Sequence, residues 1–182
     1  IIGSKTLKII KNFFPDLKIN LLVANKNYNK IISQANKFNP KAIFLSEYKN
    51  KSYLLNKINK NIIILKTFDD LINFLNNSKS DLSLLSISGY KALLYFDAII
   101  NNTKYLGLVN KECVVSAGHL FKKIFNKNKT LLFPLDSEHF SLINYFENKK
   151  NNYSLNKIFL TASGGPFFYD NKNNITLKDA IN

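Results

Sequence analysis

Arginine is absent from the 182 residues, so all 26 basic side chains are lysine. Arginine is the side chain that forks bidentately onto phosphates and guanine edges. The net charge of +14 therefore comes without the group nucleic-acid readers use most. The lysines are also mixed with asparagines throughout, in NKNYNK, NKINKN and NKNKTL, and form no stripe. That pattern reads as surface composition and argues against a nucleic-acid partner.

Cysteine is nearly absent too. With Cys113 alone, the chain can build neither an internal disulfide nor a cysteine-based zinc site, which suits a reducing cytoplasm. No apolar run reaches the roughly 18 to 20 residues that span a bilayer, because lysine or asparagine interrupts each one. The opening IIGSKTLKII has no basic stretch leading into a long apolar segment and cleavage site. The expectation is a soluble protein with no membrane partner.

What is present is a core-forming pattern: 46% of residues are hydrophobic, enough for one domain and the beginning of a second. Short apolar runs alternate with helical periodicity. KINLLVA (18–24) predicts a strand, and NKIISQANKF (29–38) a helix with Ile31, Ile32, Ala35 and Phe38 on one face, ended by Pro40. AIFL (42–45) and NIIILK (61–66) predict further strands, the second leading into a helix with Thr67 and Asp70 spaced as a capping box. Strands over 82–88, 105–110, 130–135 and 157–162 alternate with helices over 90–101, through Val114, Ala117, Phe121 and Ile124, and over 138–147. Continuous apolar strands separated by amphipathic helices predict a doubly wound α/β domain with a mostly parallel sheet.

In such sheets ligands sit beyond the carboxyl ends of the strands, and four polar clusters fall there. ANKN (24–27) offers Lys26 and two asparagines to a cofactor phosphate, or is a surface turn. VNKEC (109–113) offers Lys111 as a cation over a strand end, or as half of a local pair with Glu112. In FPLDSEHF (133–140), Asp136 and Glu138 resemble half of an octahedral magnesium or manganese site, since hard cations take oxygen ligands. The same spacing also suits a helix N-terminus capped by Asp136 or Ser137. TASGGPFF (161–168) is a glycine turn fixed by Pro166, able to form a phosphate-binding lip.

In this order, VNKE, PLDSEH and ASGGPF resemble the segments ANKE, PVDSEH and GSGGPF of the 1-deoxy-D-xylulose 5-phosphate reductoisomerase family. The start IGSKTLKIIKNFFPDLKINLLVANKN is similar to that family's start, and the resemblance covers essentially the whole chain. It implies a Rossmann-like NADPH-binding domain over 1–133, lacking its first strand, and the beginning of an α+β connective and catalytic domain over 134–182. It also implies a metal-assisted rearrangement of 1-deoxy-D-xylulose 5-phosphate, then hydride transfer from NADPH to give 2-C-methyl-D-erythritol 4-phosphate for isoprenoid biosynthesis.

Carried over by motif, Asp136 and Glu138 are ligands for Mg2+ or Mn2+ and, with Lys111, the catalytic residues. Lys111, Ser137, Glu138 and Ser163 contact the sugar phosphate. Ile1, Ile2, Asn25, Lys26, Asn27, Asn110 and Glu112 lie on the cofactor side, with Asn25 standing for a frequent glycine and Ile1 for a serine. The family's polypeptide continues past ITLKDAIN to a third acidic metal ligand and a helical domain, and is a homodimer. The 182 residues alone are therefore expected to turn over little or nothing. The alternative is a non-catalytic remnant or interaction module on the same scaffold.

Overall fold

The computed structural model describes residues 2–47, 53–54, 56–127, 129–147 and 157–159. The chain falls into two units, Ile1–Phe140 and Ser141–Asn182. In the first, helix α1 (Ile2–Phe13) precedes strand β1 (Leu21–Ala24), α2 (Tyr28–Phe38), β2 (Ala42–Leu45), β3 (Ile63–Leu65) and α3 (Phe68–Asn77). Strand β4 (Ser80–Leu85), a 3-10 segment (Tyr90–Tyr95), α4 (Phe96–Ile100), β5 (Thr103–Leu108), α5 (Lys111–Lys127) and β6 (Leu131–Pro134) follow, and α6 (Ser137–Glu147) runs across the division.

Among the described residues every strand pair is parallel, in two three-stranded sheets ordered β1-β2-β3 and β4-β5-β6. With helices between the strands this is the α/β arrangement that the apolar runs predict, and the Rossmann-like fold that the resemblance implies. β2 shows why its sequence has no polar alternation: all four of its residues are buried. Ile43 and Leu45 pack with Ile31 and Ala35 of α2, while Ala42 and Phe44 pack with Leu71 of α3 and with Tyr95. A strand covered on both faces reads as a continuous apolar run, and each such large side chain contributes about 1.5–3 kcal/mol. Asn20, just before β1, links the two sheets by donating to Ser80 Oγ at 3.2 Å and Lys79 O at 3.4 Å.

The capping box forms as its spacing predicts. Asp70 N–H donates to Thr67 Oγ1, and Thr67 N–H donates back to Asp70 Oδ2, both at 3.0 Å. Lys66 N–H reaches the same carboxylate at 3.0 Å.

Several strands start or end a few residues away from the sequence reading, as β1 and β5 do. The strand expected at 82–88 occupies 80–85, because the chain turns at Gly89, whose φ of 77° a strand does not use. The helix expected at 90–101 opens as a 3-10 segment, with no side-chain cap at Gly89. Of the strand expected at 157–162, residues 157–159 are described and lie outside regular structure. α5 carries non-helical geometry at Ala117, between Ser116 and Gly118, the residue types at which helices kink.

In the second unit α6 continues to Glu147, with the Tyr145 and Phe146 rings meeting edge-on at 5.6 Å. No helix among the described residues is long and apolar enough to cross a membrane.

Candidate functional site

The carboxyl ends of β5 and β6 lie side by side. Leu108 pairs with Pro134, and the ladder extends one bond further, with Leu135 N–H donating to Leu108 O at 2.7 Å. Packing is close at Gly107: a Cβ on it would come 2.9 Å from Leu135 Cδ1 and 3.1 Å from Leu84 Cδ1. Leu135 therefore lies tight over β5, and the next residue is Asp136.

Asp136 caps α6. His139 N–H donates to its Oδ1 at 3.0 Å, and His139 Nδ1 lies 2.8 Å from the same oxygen. The helix-cap alternative is thus met for Asp136, and the capping bond engages one of its two oxygens. Its side chain is 11% exposed.

Glu138 is turned to different partners. Its Oε2 accepts from Ser137 Oγ at 2.8 Å, and Lys111 Nζ donates to its Oε1 at 3.4 Å. The Ser137 hydroxyl, the Glu138 backbone amide and the Lys111 charge together hold this carboxyl below the usual glutamate range. Lys111 pairs across to Glu138 and so joins the first turns of α5 and α6, where the sequence left open a local pair with Glu112. Glu112 lies exposed in the first turn of α5, where a carboxylate complements the helix dipole.

Asn110, just before α5, is buried at 4% exposure. Its Oδ1 accepts from Cys113 N–H at 3.0 Å, and its amide donates to Ile87 O and, at 2.8 Å, to Gly89 O. Cys113 sits inside the same turn, where burial and then the Glu112 charge push its thiol up, against the tendency of a helix N-terminus to lower it.

The ANKN cluster stands at the end of β1. Asn25 Oδ1 accepts from Ser46 Oγ at 2.7 Å, Asn27 caps α2 through a bond from Lys30 N–H at 3.0 Å, and Lys26 is exposed. Ile2 opens α1 at 42% exposure, and the adjacent Gly3 lies against Ser86, whose Oγ would stand 3.5 Å from a Cβ there. Ile1 and Ser163 lie outside the described residues.

The structure thus brings Lys111, Ser137 and Glu138 together and sets Asp136 and Asn110 beside them in the chain. Among the described residues, no third His, Cys, Asp or Glu joins Asp136 and Glu138 in a metal-sized cluster. Sequence reasoning missed the Ile87–Gly89 turn, for which the glycine directly after an apolar run was the available signal.

Comparisons with known proteins follow the same residues. A family model described as 1-deoxy-D-xylulose 5-phosphate reductoisomerase matches residues 1–118, and the model of that enzyme's C-terminal domain matches residues 132–182. The enzyme of that name from Pelagibacter ubique (strain HTCC1062) is 42% identical over 187 residues, 99% of this chain and 47% of the relative. The one from Clostridium tetani (strain Massachusetts / E88) is 35% identical, over 99% of this chain and 48% of the relative. The chain spans about half the length of these curated relatives. A solved reductoisomerase from Zymomonas mobilis in complex with NADPH superposes with a TM-score of 0.78 at 28% identity, over 93% of this chain and 44% of that one. Another, in complex with NADPH, fosmidomycin and magnesium, gives a TM-score of 0.68 at 30% identity, over 76% of this chain and 35% of that one.

Proposed function

The chain belongs to the 1-deoxy-D-xylulose 5-phosphate reductoisomerase family, and we propose that the protein it forms part of converts 1-deoxy-D-xylulose 5-phosphate to 2-C-methyl-D-erythritol 4-phosphate with NADPH and Mg2+ or Mn2+. The observation that carries this reading is the Lys111–Glu138 contact, which brings the VNKE and DSEH segments to one place at the carboxyl ends of β5 and β6. A reductoisomerase solved with NADPH, fosmidomycin and magnesium supports the choice of cofactors and a small phosphate-like ligand.

The donor set suits a hard divalent cation. Asp136 and Glu138 are oxygen donors, one carboxylate nearly enclosed and the other held ionised by its neighbours. They would hold the metal, and at the end of β1 Lys26 would meet the cofactor's extra phosphate, flanked by Asn25 and Asn27. When bound, the metal supplies Lewis-acid polarisation of the ketose carbonyl and NADPH supplies the hydride.

This chain's own residues do the positioning. Lys111 offers its ammonium to substrate oxygens beside Glu138, Ser137 offers a hydroxyl at the same turn, and Ser163 would hold the phosphate. Ile1, Ile2, Asn110 and Glu112 complete the cofactor side. Residues 1–133 would form the cofactor domain and 134–182 the start of the catalytic one, in a homodimeric, cytoplasmic enzyme that takes no nucleic acid.

Oxidation of NADPH by the full-length protein, given the ketose phosphate and Mg2+ or Mn2+, tests the reading. Oxidation no faster than the substrate-free background would overturn it.

A further inference from the structure

Asn110 carries an amide in a place where many residues could cap a helix. As a cap it needs only one acceptor, and that acceptor takes the Cys113 N–H at 3.0 Å. The two amide hydrogens go elsewhere, to Ile87 O and to Gly89 O, across 23 and 21 residues of sequence. A serine or aspartate would cap equally well, but neither could donate both of these bonds, since a carboxylate only accepts and a hydroxyl has one hydrogen. The side chain is 4% exposed, so its polar atoms are committed to the protein itself.

The turn it holds has a position that matters. Ser86, at its start, lies against Gly3 in the first turn of α1. Ile87 packs against both the β4–β5 core and the β2–α3 core. Gly89, at its end, has φ 77°, and a Cβ there would meet nothing within 4 Å. Backbone conformation, not space, therefore requires glycine. The turn thus runs from the first turn of α1 to the residue before Lys111, and its two inward carbonyls converge on one amide.

We propose that Asn110 is a positioning residue: its amide clamps the Ile87–Gly89 turn and so fixes the wall between the α1 end of the cofactor site and Lys111. The inference deepens the NADPH-dependent reading above and rests on it for its kinetic consequence. It assigns the Asn110 side chain to the wall and leaves contact with the cofactor to the backbone around it. Without the clamp, the half-buried Ile87 carbonyl loses this donor, the Gly89 carbonyl keeps only the Ala92 N–H at 3.3 Å, and the turn opens, while α5 keeps its start.

Two variants of the full-length protein separate the clamp from the cap. Asn110→Ser keeps a capping oxygen and removes the amide, and Gly89→Ala strains the turn without touching Asn110. Hydrogen exchange of the cofactor-free protein is expected to show amides in 86–91 exchanging about tenfold or more faster in both variants, with α5 still protected. The KM for NADPH is expected to rise about tenfold in each, with a smaller change in kcat, and the double variant to be no worse than the poorer single one. Unchanged exchange at 86–91 in Asn110→Ser would overturn the clamp. So would an NADPH defect confined to Asn110→Ser and absent from Gly89→Ala, which would mean direct contact with the cofactor. If the unsubstituted protein binds no NADPH, the functional reading fails, while the exchange measurement still decides the clamp.

Discussion

Lys111 Nζ stands 3.4 Å from Glu138 Oε1, joining two helix starts that are 27 residues apart in sequence. The pair is open to solvent, with side chains 56% and 43% exposed. Screening by water makes such a contact a weak contributor to folding, so its place at the two strand ends speaks for chemistry more than for stability.

That distinction gives a first prediction. Lys111→Gln is expected to leave the melting temperature within about 2 °C of the parent. It is expected to lower kcat/KM about a hundredfold, the scale on which a preorganised charge near a reacting oxygen acts. Thermal unfolding and steady-state kinetics on one preparation check both halves, and a large melting shift with unchanged kinetics would contradict the assignment.

A second prediction concerns acid stability. The Lys66 and Thr67 backbone amides and the Thr67 hydroxyl hold the Asp70 carboxyl below the usual aspartate range. A group whose folded pKa is depressed stabilises the fold above its unfolded pKa, and that contribution is lost as pH falls through the folded pKa. The melting temperature of the parent is therefore expected to exceed that of Asp70→Asn by a constant gap above about pH 5, narrowing below about pH 4. A gap that stays constant down to about pH 2 would count against the depressed carboxylate.

A third follows from Gly107. Its missing Cβ leaves room for Leu135 and Leu84, whose terminal methyls would be crowded at 2.9 Å and 3.1 Å. Those methyls belong to flexible side-chain ends, so Gly107→Ala is expected to cost about 1–2 kcal/mol by denaturant titration, near the low end for overpacking. Because Leu135 precedes Asp136, activity is expected to fall as well, and Leu135→Ala in the same chain is expected to recover part of the lost stability. No recovery would place the cost elsewhere.

The parts of the fold written in local periodicity were legible in the sequence. The four buried residues of β2 form a continuous apolar run, and Thr67 and Asp70 form a capping box because one turn of helix brings them together. The α1 helix was not assigned. Among its residues only Leu7 is buried, and its first turn carries no acidic residue to announce it. The site divided in the same way. Lys111, Ser137 and Glu138 stand out through family-like segments, and the structure gathers them. The work of Asn110 was illegible, because it depends on carbonyls 21 and 23 residues away that carry no side-chain signature.

The most direct measurement is product analysis by NMR on the full-length protein given 1-deoxy-D-xylulose 5-phosphate, NADPH and Mg2+ or Mn2+, beside its Glu138→Gln variant. The account predicts one 2-C-methyl-D-erythritol 4-phosphate formed for each NADPH consumed, dependent on the metal, with the rate about a hundredfold or more lower in the variant. Product formation at the parent rate without a divalent metal, or in Glu138→Gln, would contradict it.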